Sequence, residues 1–86
     1  MIHLGTEGRR WLLAALRELA QDRPRRFEDL LWLGFGDDWT AIRDALIREG
    51  DVRYDPHGQR PPVLTPIGEA MIDRLAAHKP AESAAA

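Results

Sequence analysis

The sequence predicts a mainly α-helical domain with a small β-hairpin, an α+β fold class, and three observations support this prediction. Apolar residues repeat at helical spacing in four segments, and a two-residue alternation typical of a strand lies between the third and the fourth. Glycine and proline separate these segments. The 86 residues are 44% hydrophobic, which is enough for one small core. We therefore expect a single domain over residues 1–79 and a flexible C-terminal tail over residues 80–86.

The first helix is predicted from about Glu7 to Gln21, with Thr6 as its N-cap. Its apolar residues gather on one face and are Leu12, Leu13, Leu16, Leu19 and Ala20. Arg10 and Arg17 lie on the opposite face. This pattern indicates a surface helix that buries a leucine stripe.

The second helix is predicted to begin at Pro24, because proline suits the first helical position. The apolar residues Phe27, Leu30 and Leu31 repeat at spacings of three and four residues. Gly34 is expected to end this helix. The turn is then residues 34–36, since its two glycines permit positive φ angles. Phe35 is expected to pack into the bend between the two helices.

The third helix is predicted from about Asp38 to Glu49, with Asp37 or Asp38 as its cap. At about 100° per residue, one face of this helix packs inward and the other faces outward. The packing residues are Ile42, Ala45 and Leu46, with Trp39 at their border. The outward residues are Thr40, Arg43, Asp44, Ile47 and Arg48.

A hairpin and a closing helix follow. Gly50 fits a left-handed helix cap, and in residues 51–54 Val52 and Tyr54 alternate with Arg53 as in a half-buried strand. Residues 55–59 have turn composition, and residues 63–64 return as a second strand after two prolines. Thr65 is expected to cap the last helix. That helix has Pro66 first and carries Ile67, Met71, Ile72 and Leu75 until Pro80.

This order of elements is that of a winged helix-turn-helix domain. The sequence also resembles the winged-helix regulators of the MarR and PadR type, whose recognition helix ends in Leu-x-x-x-Gly and whose next helix starts in Leu-Thr-x-x-Gly. The matching residues are Leu46, Gly50, Val52, Leu64, Thr65 and Gly68. The resemblance covers about Phe27 to Leu75. It implies a transcriptional regulator that lays its third helix in a groove of duplex DNA.

For such a regulator, the DNA-binding candidates are polar residues of three segments. Helix three offers Thr40, Arg43 and Arg48, the hairpin offers Arg53, Gln59 and Arg60, and the start of helix two offers Arg25 and Arg26. The guanidinium group of arginine can donate two hydrogen bonds at once to the edge of a guanine base or to a phosphate. The arginines of helix two are also explained without DNA, as solvent-exposed side chains at the start of an ordinary surface helix.

The charge of the chain favours an alternative. With 12 Lys+Arg against 14 Asp+Glu, the net charge is −2, so the chain as a whole does not attract phosphate. Residues 37–50 hold four acids and two arginines. In the alternative to DNA binding, these charged residues only stabilise helix three. Asp37 and Asp38 then cap the helix, while Arg43 and Arg48 pair with the neighbouring acids Asp44 and Glu49. We keep both interpretations.

A protein partner is the second functional hypothesis. The candidate interface residues are Trp11, Trp32 and Ile47, because each lies at or beyond the edge of an apolar stripe. In the structural alternative, Trp32 covers helix one or the last helix. Either tryptophan would also serve a homodimer. On this hypothesis the protein is a protein-interaction module, such as a host- or phage-encoded inhibitor.

Enzyme chemistry is not expected. The histidines His3, His57 and His78 have no carboxylate at ligand or triad spacing, and Ser83, the single serine of the sequence, lies in the alanine-rich tail. The chain has no cysteine, and no metal or cofactor is predicted. No apolar run reaches the roughly 18 residues of a membrane span, so we expect a cytoplasmic protein.

Overall fold

The computed structural model describes residues 4–77, which form four α-helices and one two-stranded antiparallel sheet. The elements are α1 (Thr6–Ala20), α2 (Pro24–Phe35), α3 (Trp39–Arg48), β1 (Val52–Arg53), β2 (Val63–Leu64) and α4 (Pro66–Ala77). A 3-10 turn over Gly36–Asp38 joins α2 to α3. The predicted α+β class, mainly helical with a small hairpin, is confirmed. The tail over residues 80–86, His3, His78 and Ser83 lie outside the described residues.

The hydrophobic core lies between α1 and α2 and is closed by α3, β1 and α4. Its fully buried members are Leu12, Ala15, Leu16, Leu19, Phe27, Leu31, Leu46 and Val52. Leu12, Leu16 and Leu19 of the stripe predicted for α1 therefore face inward, whereas Leu13, which we also placed in that stripe, is half-buried and Ala20 is exposed. Residues of α4 complete the core from one side, through Met71, Ile72 and Leu75.

The first helix begins one residue earlier than predicted. Gly5 is the N-cap, and no side chain caps this end, so the prediction that Thr6 is the N-cap is wrong. The carbonyl of Gly5 already accepts the N–H of Arg9 at 3.0 Å, which places Thr6 inside the first turn.

The second helix continues through Gly34, which corrects the prediction that this glycine ends it. Gly36 is the C-cap, with φ of +57°. Gly34 has a different role, because a Cβ there would overlap the Trp11 side chain of α1. The missing side chain therefore lets α1 and α2 approach closely, and the turn moves to Gly36–Asp38.

The end of α3 forms a Schellman motif, as the prediction for Gly50 requires. Gly50 has φ of +85°. Its N–H donates to the Ile47 carbonyl at 3.1 Å, and the N–H of Asp51 donates to the Leu46 carbonyl at 2.9 Å. This turn directs Asp51 into the interior, so the strand begins at Val52 and not at Asp51 as predicted.

The hairpin is anchored to the start of α4. Val52 pairs with Leu64, and Arg53 with Val63. Thr65 caps α4 as predicted, because its hydroxyl oxygen accepts the Gly68 N–H at 3.0 Å. The N–H of Thr65 donates to the Asp51 carbonyl at 3.1 Å, which joins the end of β2 to the residue before β1.

Candidate functional site

The predicted division of α3 into an inner and an outer face is largely confirmed. Ala45 and Leu46 are buried, and Trp39 and Ile42 pack against the core. The exposed outer residues are Thr40, Asp44, Ile47 and Arg48. Among residues 4–77, Arg48 makes no ion pair, so its predicted pairing with Glu49 is not formed. Asp38 occupies the N-cap position, but no side chain caps α3.

Arg43 is the exception on the outer face of α3. Its guanidinium carbon lies 5.1 Å from the ring centroid of Trp39 and 5.9 Å from that of Tyr54. Its Nη2 lies 3.1 Å from Oδ1 of Asp44, and its side chain is only 28% exposed. Arg43 therefore pairs with Asp44, as the alternative to DNA binding predicts, and two aromatic rings also hold its guanidinium.

Tyr54 connects this arginine to α2. Its hydroxyl donates to Oε2 of Glu28 at 2.7 Å. Burial, and then the hydrogen bond to Glu28, raise the pKa of Tyr54 above its usual value, so the phenol stays a neutral donor. A chain of contacts thus runs from Arg43 on α3, through Tyr54 after β1, to Glu28 on α2.

The loop between the two strands is organised by Asp55. Its carboxylate accepts the backbone N–H groups of His57 at 3.0 Å, Gln59 at 2.9 Å and Arg60 at 3.0 Å. These bonds, that of His57 first, lower the pKa of Asp55 below its usual value. Its charge is therefore partly balanced by the loop itself, which leaves the side chains of Gln59 and Arg60 to the solvent.

An open pocket of about 460 Å³ lies on this hairpin. Its lining includes Arg53, Gln59 and Arg60, the three residues that we predicted for this segment, together with Tyr54 and His57. Arg53 and Arg60 are exposed and make no ion pair within residues 4–77. The structure therefore brings the predicted hairpin residues together around one concave, cationic surface.

The arginines at the start of α2 differ from one another. Arg26 Nε lies 3.4 Å from Oε2 of Glu18, an oxygen that Arg23 also contacts at 3.1 Å. Arg25 is exposed and makes no ion pair within the described part of the chain. Because Arg25 precedes Glu28 by three residues, the two lie one turn apart on the same side of α2. Arg25 is thus near the side of α2 that meets Tyr54.

The two tryptophans proposed for an interface also differ. Trp11 is half-buried against Gly34. Trp32 is 57% exposed, so the alternative in which it covers helix one or the last helix is wrong. Ile47 is exposed as predicted. Leu33 and Val63 are also exposed, and so is Ile67, which we listed with the apolar residues of the last helix. Leu33 falls outside the Phe27, Leu30 and Leu31 stripe, which was a signal available in the sequence.

Asp51 is the residue that our sequence analysis missed. It is 1% exposed, and within residues 4–77 neither carboxylate oxygen has a hydrogen-bond partner. Burial and the nearby charge of Glu49 raise the pKa of Asp51, and Arg74 partly opposes them. An apolar residue commonly follows the glycine of a Schellman motif, so a carboxylate here is costly.

Residues 4–77 contain no group of three or more His, Asp or Glu side chains placed to hold a metal ion. No α-helix within this range is both long enough and apolar enough for a bilayer span. No protein-family model, no curated protein and no solved structure matches this chain.

Proposed function

We propose that this protein is a small winged-helix DNA-binding protein, acting as a transcriptional regulator, whose hairpin supplies the main contacts to duplex DNA. The observation that carries this proposal is the cationic pocket on the hairpin. Arg53 and Arg60 project there without intramolecular ion pairs among residues 4–77, while the carboxylate of Asp55 is occupied by backbone N–H groups. Unpaired guanidinium groups on a concave surface suit phosphate oxygens.

The distribution of charge favours the hairpin over α3 as the principal contact. Residues 37–50 hold four acids and two arginines, a net charge of −2. Residues 52–64 hold two arginines and one acid, a net charge of +1 with histidine neutral. Because nonspecific affinity for DNA comes from neutralised phosphates, an acidic α3 opposes it and a cationic hairpin supports it.

The engagement of Arg43 bears on sequence specificity. Its guanidinium lies against Trp39 and Tyr54, and its Nε and Nη2 both donate to Oδ1 of Asp44, so the edge that bears these two nitrogens is already occupied. Arg48 and Thr40 remain exposed on α3. We therefore expect most of the affinity to come from phosphate contacts, with limited reading of base edges.

The proposal is tested by fluorescence anisotropy with a labelled duplex at several salt concentrations. The variant is Arg53→Ala with Arg60→Ala, and the matched control is Arg10→Ala with Arg17→Ala, which removes the same charge from exposed positions of α1. The logarithm of the binding constant falls as log salt rises, and each lost phosphate contact makes this slope shallower by about 0.9. We expect the slope of the hairpin variant to be shallower than that of the parent by about 2 and the slope of the control to change little.

Two results would contradict the proposal. Equal losses in both variants would mean that only net charge matters and that the hairpin is not a specific contact surface. Absence of binding by the parent protein at about 20 mM salt, where electrostatic binding is strongest, would exclude a DNA role.

The alternative function is that of a protein-interaction module. The observation in its favour is the exposure of the adjacent residues Trp32 and Leu33 on α2, 57% and 59% respectively. Large apolar side chains with this exposure are typical of interface anchors. Failure of DNA binding, with the fold intact, would favour this alternative.

A further inference from the structure

The hairpin pocket owes its form to its own loop. All four backbone N–H groups of residues 57–60 donate to Asp55, one to its carbonyl and three to its carboxylate. Gly58, whose N–H donates to that carbonyl at 3.0 Å, has φ of +68°, a left-handed conformation that glycine adopts without strain. Asp55 also lines the pocket, and these N–H groups partly offset its negative charge. The loop is therefore ordered in advance, so a ligand that binds there loses little affinity to loop ordering.

The pocket combines cationic and apolar walls. Arg53 and Val63 are cross-strand partners, so their side chains lie on the same face of the sheet. Val52 and Leu64 lie on the other face, toward the core. The exposed arginines Arg53 and Arg60 supply the cationic part of the lining. The apolar side chains of the lining are Pro56, Pro61 and Val63.

The size and charge of the pocket indicate the class of ligand. Clefts of about 300 to 1,000 Å³ commonly hold small organic molecules, and this pocket measures about 460 Å³. Its two guanidinium groups make no ion pair within residues 4–77. A phosphomonoester has a charge of about −1.5 to −2 at pH 7 and three acceptor oxygens, whereas a phosphodiester within a DNA strand has a single negative charge. Two unpaired arginines therefore match a terminal phosphate better than an internal one.

We propose that the hairpin pocket binds a phosphomonoester, with Arg53 and Arg60 on the phosphate and the apolar wall against the organic group that bears it. His57 and Gln59, which also line the pocket, supply further side-chain N–H donors. Two sources present this chemistry, a free ligand of nucleotide size and the terminal phosphate of a DNA strand. The proposal rests on the proposed function, in that it assigns a ligand to the same cationic surface.

The free ligand is tested with adenosine monophosphate, added to the full chain while its backbone amide signals are followed by NMR. We expect shifts confined to residues 53–63 and a Kd on the order of 0.1 to 1 mM. Cyclic adenosine monophosphate keeps the base and the sugar but presents a phosphodiester, and we expect it to bind at least about fivefold more weakly.

The arginines are tested in the same titration. Arg53→Ala with Arg60→Ala is expected to weaken binding of adenosine monophosphate by at least about tenfold. The matched control is Arg10→Ala with Arg17→Ala, which removes the same charge from exposed positions of α1 and is expected to keep the parent Kd within about twofold. The dispersion of the amide signals verifies that each variant is folded.

The second source is tested by fluorescence anisotropy with one internally labelled duplex that ends in phosphates or in hydroxyls. Tighter binding of the phosphorylated duplex by the parent, and not by the hairpin variant, identifies a DNA end as a source. Amide shifts with adenosine monophosphate identify a free ligand. Binding of the hydroxyl duplex measures the proposed function alone, so its loss while adenosine monophosphate still binds would contradict that function and not the phosphomonoester site.

Two results would overturn the phosphomonoester site. In the first, adenosine monophosphate binds no more tightly than the cyclic diester, and the phosphorylated duplex binds no more tightly than the hydroxyl duplex. In the second, the α1 control loses as much affinity as the hairpin variant. If the parent still binds the hydroxyl duplex in either case, the proposed function stands without this site.

Discussion

The outer face of α3 and the hairpin both carry arginines, but the structure uses these arginines in different ways. On α3, Arg43 is held by two aromatic rings and a carboxylate. On the hairpin, Arg53 and Arg60 are exposed and make no ion pair within residues 4–77. Both segments carry arginines, and the rings and carboxylates around each arginine separate the two cases.

The physical reason for this difference is the position of the acids and the rings. On α3, Trp39 lies one turn before Arg43, Asp44 follows it directly, and Tyr54 is brought over it by the hairpin. On the hairpin, the nearby acid is Asp55, and backbone N–H groups occupy its oxygens. An arginine is thus available to a ligand when the fold gives the adjacent carboxylate another partner.

The largest expected effect comes from breaking the junction that places the hairpin beside α3. A Cβ on Gly68 would overlap the carbonyl oxygen of Asp51 and lie 3.1 Å from its carbonyl carbon. Gly68→Ala is therefore expected to lower the free energy of unfolding by about 2 kcal/mol, since overpacking costs about 1 to 3 kcal/mol and exceeds the gain in helix propensity of up to about 1 kcal/mol. Urea denaturation measures this change.

The control for this prediction is Gly5→Ala. A Cβ on Gly5 meets no atom within 4 Å, and this residue has negative φ at the N-cap of α1. We expect it to cost only a few tenths of a kcal/mol, on the order of 0.3. If Gly68→Ala is as mild as Gly5→Ala, the contact between α4 and the residue before β1 does not hold the hairpin in place.

The second prediction concerns Asp51, which lies where α3 ends and the hairpin begins. Asp51→Asn is expected to stabilise the protein by about 1 to 2 kcal/mol at pH 7, because it removes a buried charge that has no hydrogen-bond partner among the described residues. Asp29→Asn, at an exposed position of α2, is the control and is expected to be neutral within about 0.5 kcal/mol.

The effect of Asp51→Asn is expected to depend on pH. In the folded state, burial raises the pKa of Asp51 above its ordinary value of 3.8. The folded protein therefore binds this proton more tightly than the unfolded chain does. The contribution of Asp51 to stability is therefore fully present below pH 3.8 and is lost as pH rises through its raised pKa. The gain from Asp51→Asn should thus shrink as pH falls toward 3.8, and a gain independent of pH would contradict this assignment.

The smallest effect sharpens the comparison between the two sets of arginines. Arg43→Ala removes the ring contacts and the bond to Asp44, and we expect a loss of about 1 kcal/mol in the free energy of unfolding. Arg53→Ala removes no ion pair within residues 4–77 and is expected to change stability by less than about 0.5 kcal/mol. Parallel urea titrations of the two variants measure both values. Equal losses would show that Arg43 is not held more firmly than Arg53.

The local structure was predictable where its determinants are neighbours in the sequence. Gly50 ends α3 because the residue after a helix readily takes the left-handed conformation when it is glycine. Thr65 caps α4 through a bond to a residue three positions away. The inner and outer faces of α3 followed from the period of the helix. The residues that form each of these features lie at most five positions apart in the sequence.

Features that depend on distant residues were not predictable in the same way. Gly34 has the composition of a helix stop, yet it lies within α2 because Trp11, 23 positions earlier, packs on it. Arg43 has the pattern of an outward residue, but Tyr54 covers it from the hairpin. The burial of Asp51 results from the close approach of α4.

The sequence by itself determined the order of the helices, the position of the hairpin and the caps at Gly50 and Thr65, because helical periodicity and these caps act within one or two turns. Only the tertiary structure decided which charged groups are buried and which arginine is covered by a ring from another element. Burial and such ring contacts depend on which elements meet in space, and those contacts are set by packing of the whole core. The availability of Arg53 and Arg60 and the exposure of Trp32 are results of that packing.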